Sequence, residues 1–560
     1  MDQVLEKSVD KPVVVDDLED VDSAKLSLSD VKTTALTYAN AYDFKIDHDL
    51  LVRGALVAMF DLGKLDCNSI EMLDELAGIS PDERAVLEYE KLHRWSHPWT
   101  MYMLAACSSL AAAVQGMDES VINGALLYFP KQFGIGNANS ERDNWIQGIV
   151  ASVPYLACAI PGCWLTPFLN RYLGRRGTIC FTAAISGISC IWQGVTNSWA
   201  HLLVARLVMG LGIGPKSATT PMYTAECAPR LIRGALVMQW QVWTAFGFVI
   251  GYLSTLGLMF VPDLSGIEGL NWRLMLGIAC VPAFIVMLQV YFCPESPRWL
   301  LRKGKAVQAF RSFCRLRSHP IQAARDFYLA HVLLKAEKDD AKIERFSSRR
   351  NINAFIAVTI LMLGQPFCGV NTIAFYSGTV LSEAGLSNVS ALLGSFGYGF
   401  LCFASSIPAW FTIDTFRRRR LILFTLPFLL IFLLITGSAF HIDDKSSRVG
   451  VVLLGIYLFA SFYGPGMGPV PFTYTAEAFP LSIREFGMAY GTAILWLFNG
   501  ILSLTWFRMR QAFTTTGGFG FYAGLCLVLW VLTFLFVPET KALTLEELDA
   551  VFLRPVQLSW

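Results

Sequence analysis

Tyr223-Thr-Ala-Glu226 returns 251 residues later as Tyr474-Thr-Ala-Glu477. Each copy is followed by a proline three residues after the glutamate (Pro229, Pro480) and an arginine seven after it (Arg233, Arg484). Each is preceded by a glycine ladder, Gly210-x-Gly212-x-Gly214-Pro215 and Gly464-x-Gly466-x-Gly468-Pro469. A motif repeated at half-chain spacing inside a very apolar sequence points to two related halves, the usual plan of a secondary transporter. Because the ladders lie within apolar spans, they read as close-packing helix faces and not as phosphate cradles.

The 560-residue chain is 54% hydrophobic and only 16% charged, against about 25% charge in an average soluble domain. Such a chain cannot cover itself with polar surface, so its natural partner is the lipid bilayer. A net charge of +1 leaves no basic excess for nucleic acid. The thirteen cysteines are scattered through apolar runs, without the spacing of a zinc site or a disulfide framework, and read as small buried side chains. No nucleotide loop, metal cluster or nucleophile–base pair is present, so neither an enzyme nor a metal or organic cofactor is expected. The acidic start (Asp16 to Asp20) excludes a cleavable signal peptide, and the last residues carry no lipidation motif.

From Trp99 onward, apolar segments of roughly 20 residues recur, each long enough to cross a ~30 Å hydrocarbon core. Six lie near 99–127, 145–168, 177–196, 200–222, 234–259 and 272–292, and six more near 353–380, 389–413, 421–440, 449–475, 486–508 and 519–537. The expected organisation is all-α: an N-terminal extension (1–98), a six-helix bundle (99–293), a charged linker with short helices (294–352), a second bundle (353–538) and a tail (539–560). The extension has helical stretches at Glu71–Leu76 and Pro81–His93, and its early part reads as disordered. Arginines crowd alternate loops (Arg171, Arg175, Arg176; Arg230, Arg233; Arg417 to Arg420; Arg484), which puts both termini and the linker in the cytoplasm. Arg508 and Arg510 run against that rule, and the tripeptide Asn388-Val-Ser390 in an outer loop agrees with it.

An ordered series of motifs now identifies a resemblance. Asn170-Arg-Tyr-Leu-Gly174-Arg-Arg176 and Asp414-Thr-Phe-Arg-Arg-Arg-Arg420 are similar to the loop signatures of the sugar porter family of the major facilitator superfamily. Pro294-Glu-Ser-Pro-Arg-Trp-Leu300 and Pro538-Glu-Thr-Lys-Ala542 resemble that family's closing motifs. Arg206 with the first ladder, and Gly364-Gln-Pro-Phe-Cys-Gly369-Val-Asn371 with Phe375-Tyr376, complete a series running from about residue 99 to 550. The extension and Gly116-Met-Asp118 with Asn123-Gly124 look most like fungal sugar and polyol proton symporters. The resemblance implies the major facilitator fold, two pseudo-symmetric six-helix bundles, with a monomer as the working unit and the plasma membrane as its place.

Asp118 and Arg206 fall inside apolar segments, where an ionisable group costs at least ~2.5–3.5 kcal/mol and needs a partner or a function. Pairing of the two would let protonation of Asp118 couple a proton to rearrangement; the alternative is a static ion pair. Glu119 points about 100° away around the helix, toward the outer vestibule. At the helix ends, Glu226 and Glu477 can accept hydrogen bonds from Arg175/Arg176 and Arg418/Arg419, with Arg233 and Arg484 close by in sequence, as a gate that breaks on inward opening.

A polyhydroxy solute needs amides and aromatic faces, and the resemblance assigns these to Gln241, Gln365, Asn371, Tyr376, Phe472, Trp496 and Asn499. For each polar member the alternative is a helix–helix hydrogen bond. Pro366, Cys402, Phe472 and Leu495 depart from the family's pattern and make the pocket less polar, opening the substrate to a substituted sugar, a polyol or a metabolite such as quinate. Proton symport, with the proton as the only coupling ion, leads over an uncoupled carrier and over a nutrient sensor.

Overall fold

Residues 28–41, 48–61, 78–264, 267–340, 348–408, 417–479, 483–540 and 551–553 are described by the computed structural model. They are helical apart from turns and one isolated bridge between Leu264 and Ile267. Eight helical stretches are long and apolar enough to cross a membrane. Two of these hold two rods each, since Glu141–Gly194 breaks at Gly174 (φ 76°) and Phe486–Phe536 at Thr514 (φ 63°). Trp99–Ala125 and Trp199–Cys227, 27 and 29 residues long, bury charged side chains and complete twelve rods among the described residues.

In chain order the rods are α1 (Trp99–Ala125), α2 (141–173), α3 (175–194), α4 (Trp199–Cys227), α5 (Arg233–Leu258) and α6 (Leu270–Phe292). The second six are α7 (Arg349–Ala384), α8 (Asn388–Ser406), α9 (Arg418–Ser438), α10 (Lys445–Tyr463, resumed by Val470–Ala478), α11 (484–513) and α12 (515–536). This is the major facilitator architecture of two pseudo-symmetric six-helix bundles. The helices α2, α4, α8 and α10 each start on a side-chain cap. Ser140, Ser198, Ser387 and Asp444 accept the N–H three residues on, satisfying donors that a helix start leaves open.

The glycine ladders set how closely the bundles pack. A Cβ at Gly210 would lie 2.2 Å from the Pro154 carbonyl oxygen of α2, and one at Gly214 would lie 2.6 Å from the Gly162 backbone. In the second half, a Cβ at Gly464 would lie 2.1 Å from Ser405 Oγ of α8, and one at Gly466 2.3 Å from Thr425 Oγ1 of α9. With Gly212, whose Cβ would lie 3.1 Å from the Thr182 carbonyl oxygen of α3, each ladder lets its helix lie close against two earlier helices of its own half, as small-residue faces do in membranes.

Prolines interrupt several rods, and at three of them, in α2, α9 and α10, a side chain takes up the carbonyl left open. Proline has no N–H for the carbonyl four residues earlier, and an unsatisfied carbonyl in hydrocarbon costs several kcal/mol. Pro154 orphans Val150, whose carbonyl accepts from Arg206 Nε at 2.7 Å. Pro427 orphans Leu423, which accepts from Trp530 Nε1 at 3.0 Å. Pro471 orphans Met467, which accepts from Gln365 Nε2 at 3.0 Å.

Residues 28–98 and 300–335 form a unit of their own, where the sequence suggested a loose extension and a separate linker. Helices Leu28–Ala41 and His48–Asp61 bury Val31, Ala35, Leu56 and Met59 against Tyr328 and Leu329. Pro81–Leu92 matches its sequence reading and is held by a Ser80/Glu83 capping box; Glu71–Leu76 and the acidic start lie outside the described residues. Arg325 ties the unit together, bonding Glu90 at 3.0 Å and Asp326 at 3.0 Å, while Arg317 reaches Asp326 at 2.6 Å. Burial pushes the Asp326 carboxyl up, but Arg317 and Arg325 outweigh it and hold the group below its ordinary value.

A lowered folded value means that Asp326 contributes stability above the ordinary aspartate range, and that this is lost as pH falls through the folded value. Asp326→Asn leaves two buried guanidinium groups short of a counter-charge, a loss of about 3–5 kcal/mol for a broken buried pair. Residues 28–98 are then expected to become sensitive to limited proteolysis at neutral pH, as the unaltered chain does only in acid.

Candidate functional site

The repeated Tyr-Thr-Ala-Glu motifs build the same latch twice. In the first half Arg175 grips Glu226 with both arms, Nε to Oε2 at 3.0 Å and a terminal nitrogen to Oε1 at 2.7 Å. Ser296 also donates to Glu226, and the Tyr223 hydroxyl donates to the Pro294 carbonyl at 2.5 Å. Glu295 accepts the backbone N–H groups of Arg175 and Arg176 at 3.0 and 3.2 Å, capping the start of α3. The second half repeats the arrangement, with one arm of the arginine on the glutamate in place of two. Arg418 donates to Glu477 at 3.1 Å, Thr540 to Glu477 at 2.8 Å, Tyr474 to the Pro538 carbonyl at 3.1 Å, and Glu539 caps α9 through the N–H groups of Arg418 and Arg419.

This geometry revises the expected gate. Arg175 and Arg418 hold the glutamates, but Arg176 and Arg419 do not. Their guanidiniums go to carbonyls, Arg176 to Cys293 at 3.2 Å and Arg419 to Phe534 at 2.7 Å. Each latch joins helices of one half. Arg233 opens α5; the side chain of Arg484, like Pro480 and Asp414, lies outside the described residues. Burial pushes the Glu295 carboxyl up, countered by the N–H groups of Ser296, Arg176 and Arg175.

At the end of the rods away from these arginines, the halves are tied directly. Asn144 of α2 donates to Gln511 of α11 at 3.1 Å, and Gln511 donates back to the Asn139 carbonyl at 3.2 Å. Arg508 pairs with Glu141, and Arg510 with Glu383 at 3.5 Å, so the two arginines that broke the charge rule each meet an acid. Asn123 of α1 donates to Ser377 at 3.2 Å and accepts from the Gly378 N–H at 2.8 Å. Tyr252 of α5 donates to the Ala374 carbonyl at 2.6 Å, so one turn of α7 is fixed to the first half.

Between the two ends lies a buried polar cluster. The Tyr155 ring of α2 is stacked between Phe375 of α7 and Trp496 of α11, with centroids 4.9 and 5.5 Å away. Beside Tyr155, α2 passes through one turn of π-helix at Cys158–Gly162, a distortion frequent at functional sites. Several buried polar atoms here have no hydrogen-bond partner: Gln115 Oε1, Asp118 Oδ2, the Tyr155 hydroxyl, Lys216 Nζ, Trp496 Nε1 and Asn499 Nδ2. Such orphans are expensive.

Asp118 does not pair with Arg206. Its Oδ1 accepts a weak bond from Cys190 Sγ at 3.5 Å. Arg206 is committed elsewhere, to the Val150 and Ala151 carbonyls and to Gln193 Oε1 at 3.1 Å, because Pro154 left α2 short of a donor. Glu119 is buried at 3% exposure and accepts from Gln115 Nε2 at 3.3 Å, so it does not face an open vestibule.

Among the expected solute contacts, Gln365 donates to the carbonyls of Met467 and Gly468, and Tyr376 to the Ser503 carbonyl at 2.9 Å. Tyr376 thus bonds helix to helix, and Gln365 bonds the turn that interrupts α10. Gln241 packs within 3.6 Å of the Cβ position of Gly468, and Asn371 and Phe472 are half-buried. Trp496 and Asn499 remain with open donors. Sequence reasoning missed Gln115, Tyr155 and Lys216, and took Asn123 only as part of a family-like stretch, not as a site residue. Lys216 had a readable signal, being an ionisable residue inside an apolar span.

Residues 104–552 match the family model described as sugar (and other) transporter. The chain is 30% identical over 473 residues to the myo-inositol transporter FST1 of Gibberella moniliformis, covering 81% of this chain and 79% of that one. It is 28% identical to polyol transporter 5 of Arabidopsis thaliana, over 80% and 86% of the two chains. A solved structure of the proton:xylose symporter XylE, the E. coli xylose transporter, bound to 6-bromo-6-deoxy-D-glucose superposes with a TM-score of 0.69. Identity is 26%, and 81% and 99% of the two chains are covered. These findings define the class, a multi-pass membrane protein of the major facilitator superfamily. The chain belongs to the sugar transporter family.

The latches differ in exposure, with the Glu226 side chain 8% exposed and that of Glu477 32%. Glu226→Gln is therefore expected to cost about 3–5 kcal/mol, as for a broken buried pair, and Glu477→Gln about 1 kcal/mol or less. Thermal unfolding of the purified protein in detergent measures the difference.

Proposed function

We propose that the protein carries a sugar, polyol or similar polyhydroxy solute across a membrane by alternating access, with uptake driven by a proton. The observation that carries this reading is the set of orphaned polar atoms around the Tyr155 stack, contributed by both halves. Trp496 Nε1 and Asn499 Nδ2 offer donors, Gln115 Oε1 an acceptor and the Tyr155 hydroxyl both. A solute rich in hydroxyls answers all of them, while the aromatic faces take its C–H surfaces. The names of the relatives, a myo-inositol and a polyol transporter, support the same solute class.

The proton enters through Asp118, whose free oxygen lies deep in α1. Neutralising it removes a charge from hydrocarbon and so favours rearrangement of α1 against α4. The tied end near Gln511 and Asn123 opens to admit solute from one side, and the Arg-rich end releases it on the other. The arginine-rich loops support a cytoplasmic setting for that end and both termini, and the reading takes the plasma membrane as the setting, a monomer as the unit, and the proton as the coupling ion in place of any cofactor.

Uptake of a panel of hexoses, pentoses, polyols and quinate by a transport-deficient host, with and without a protonophore, tests the reading. Asp118→Asn is expected to abolish accumulation against a gradient while equilibrative exchange persists; accumulation surviving that change would remove the proton role. Asn499→Ala is expected to raise KM about tenfold, the loss of one hydrogen bond, at unchanged surface expression.

A further inference from the structure

Lys216 follows the first glycine ladder in α4 and is 1% exposed. Its ammonium carries three donors, and Nζ has no hydrogen-bond partner. An ammonium in that position is costly unless some state of the protein supplies an acceptor. The neighbouring α1 holds the complementary orphan, Asp118 Oδ2. The Thr224 hydroxyl of α4 donates to Ser108 of α1 at 2.9 Å, and from that tie the two antiparallel helices bring Asp118, ten residues on, and Lys216, eight residues back, to within about one turn of the same level.

The remaining titratable groups around the pair are Glu119 on α1, Cys158 and Tyr155 on α2, Cys190 on α3 and Arg206 on α4. Glu119 is engaged by Gln115, and Cys190 donates to the other oxygen of Asp118. Arg206 is held by two carbonyls of α2 and by Gln193. It cannot turn to Asp118 without stranding the Val150 carbonyl that Pro154 leaves open. Of the two buried cations, only Lys216 is uncommitted.

We infer that Lys216, and not Arg206, is the exchange partner of Asp118. The ammonium closes onto the free oxygen when the carboxyl has lost its proton, and lets go when a proton from the aqueous phase takes its place. Only one O–H bond forms or breaks at Asp118, and Lys216 keeps its own protons throughout. In the state described here the two groups stand apart. Lys216 then acts as a positioning residue that joins α4 to α1 in one half of the cycle. The inference rests on the proposed proton role of Asp118.

Infrared difference spectra of the full chain in lipid nanodiscs, recorded through a pH titration, test it without knowing the solute. The Asp118 carboxyl band is identified by its loss in Asp118→Asn. Lys216→Gln is expected to move the midpoint of that band by about one to three pH units toward alkaline pH, since a cation within reach shifts a carboxylate by that much. Lys216→Arg should restore the original midpoint, and Arg206→Lys should leave it in place. A midpoint unmoved by Lys216→Gln, or moved by Arg206→Lys instead, overturns the inference while leaving Asp118 as the proton site. Absence of any band lost in Asp118→Asn overturns both readings together.

Discussion

In hydrocarbon a backbone carbonyl without a donor costs several kcal/mol, and the prolines at positions 154, 427 and 471 create three such carbonyls. Arg206, Trp530 and Gln365 are each spent on one of them. That commitment governs how every other polar group in the bundles is read. A guanidinium or an amide that repairs a proline break is not free to meet a solute or a proton. Function can draw on atoms left over, among them those on Gln115, Asp118, Lys216, Tyr155, Trp496 and Asn499.

The same constraint explains why the two halves agree where they do. At the Arg-rich ends each bundle starts a helix, α3 or α9, whose first N–H groups need acceptors. A glutamate from the Pro-Glu-Ser or Pro-Glu-Thr segment caps them, and the next hydroxyl joins the arginine on the motif glutamate. Tyrosine, glutamate, arginine, proline and hydroxyl are therefore one interlocked unit, and duplicating one member without the others would strand a charge. The latches are conspicuous in the sequence because all their parts must recur together. Their unequal burial means that they are alike in chemistry but not in strength.

Much of this was legible in the residues, and what was not has a physical cause. Twelve spans, two bundles and the Arg175–Glu226 and Arg418–Glu477 pairs follow from hydropathy and from a repeated spacing. The partner of Arg206 did not follow, because it depends on a proline two helices earlier in the chain. Gln365 and Tyr376 looked like solute contacts by residue type, yet an amide facing a broken helix serves the backbone first. The fold of residues 28–98 was hidden for another reason. Its core is completed by Tyr328 and Leu329, over two hundred residues away, so local composition alone suggests a chain too polar to fold.

The centre of the protein is where the halves part company. The first half brings the ionisable groups on α1 and α4, helices that run continuously from Trp99 to Ala125 and from Trp199 to Cys227, the second across Pro215 and Pro221. The second half brings helices broken at Gly369 and after Tyr463, whose loose turns can reshape around a solute. Tyr155 connects the two, since it stands on α2 of the first half while its ring lies against Phe375 and Trp496 of the second. A solute that enters the stack must part Tyr155 from one or both of its aromatic neighbours. Under the proposed transport, Tyr155 is then the side chain through which a solute among the aromatic rings of the second half would act on α2 of the first.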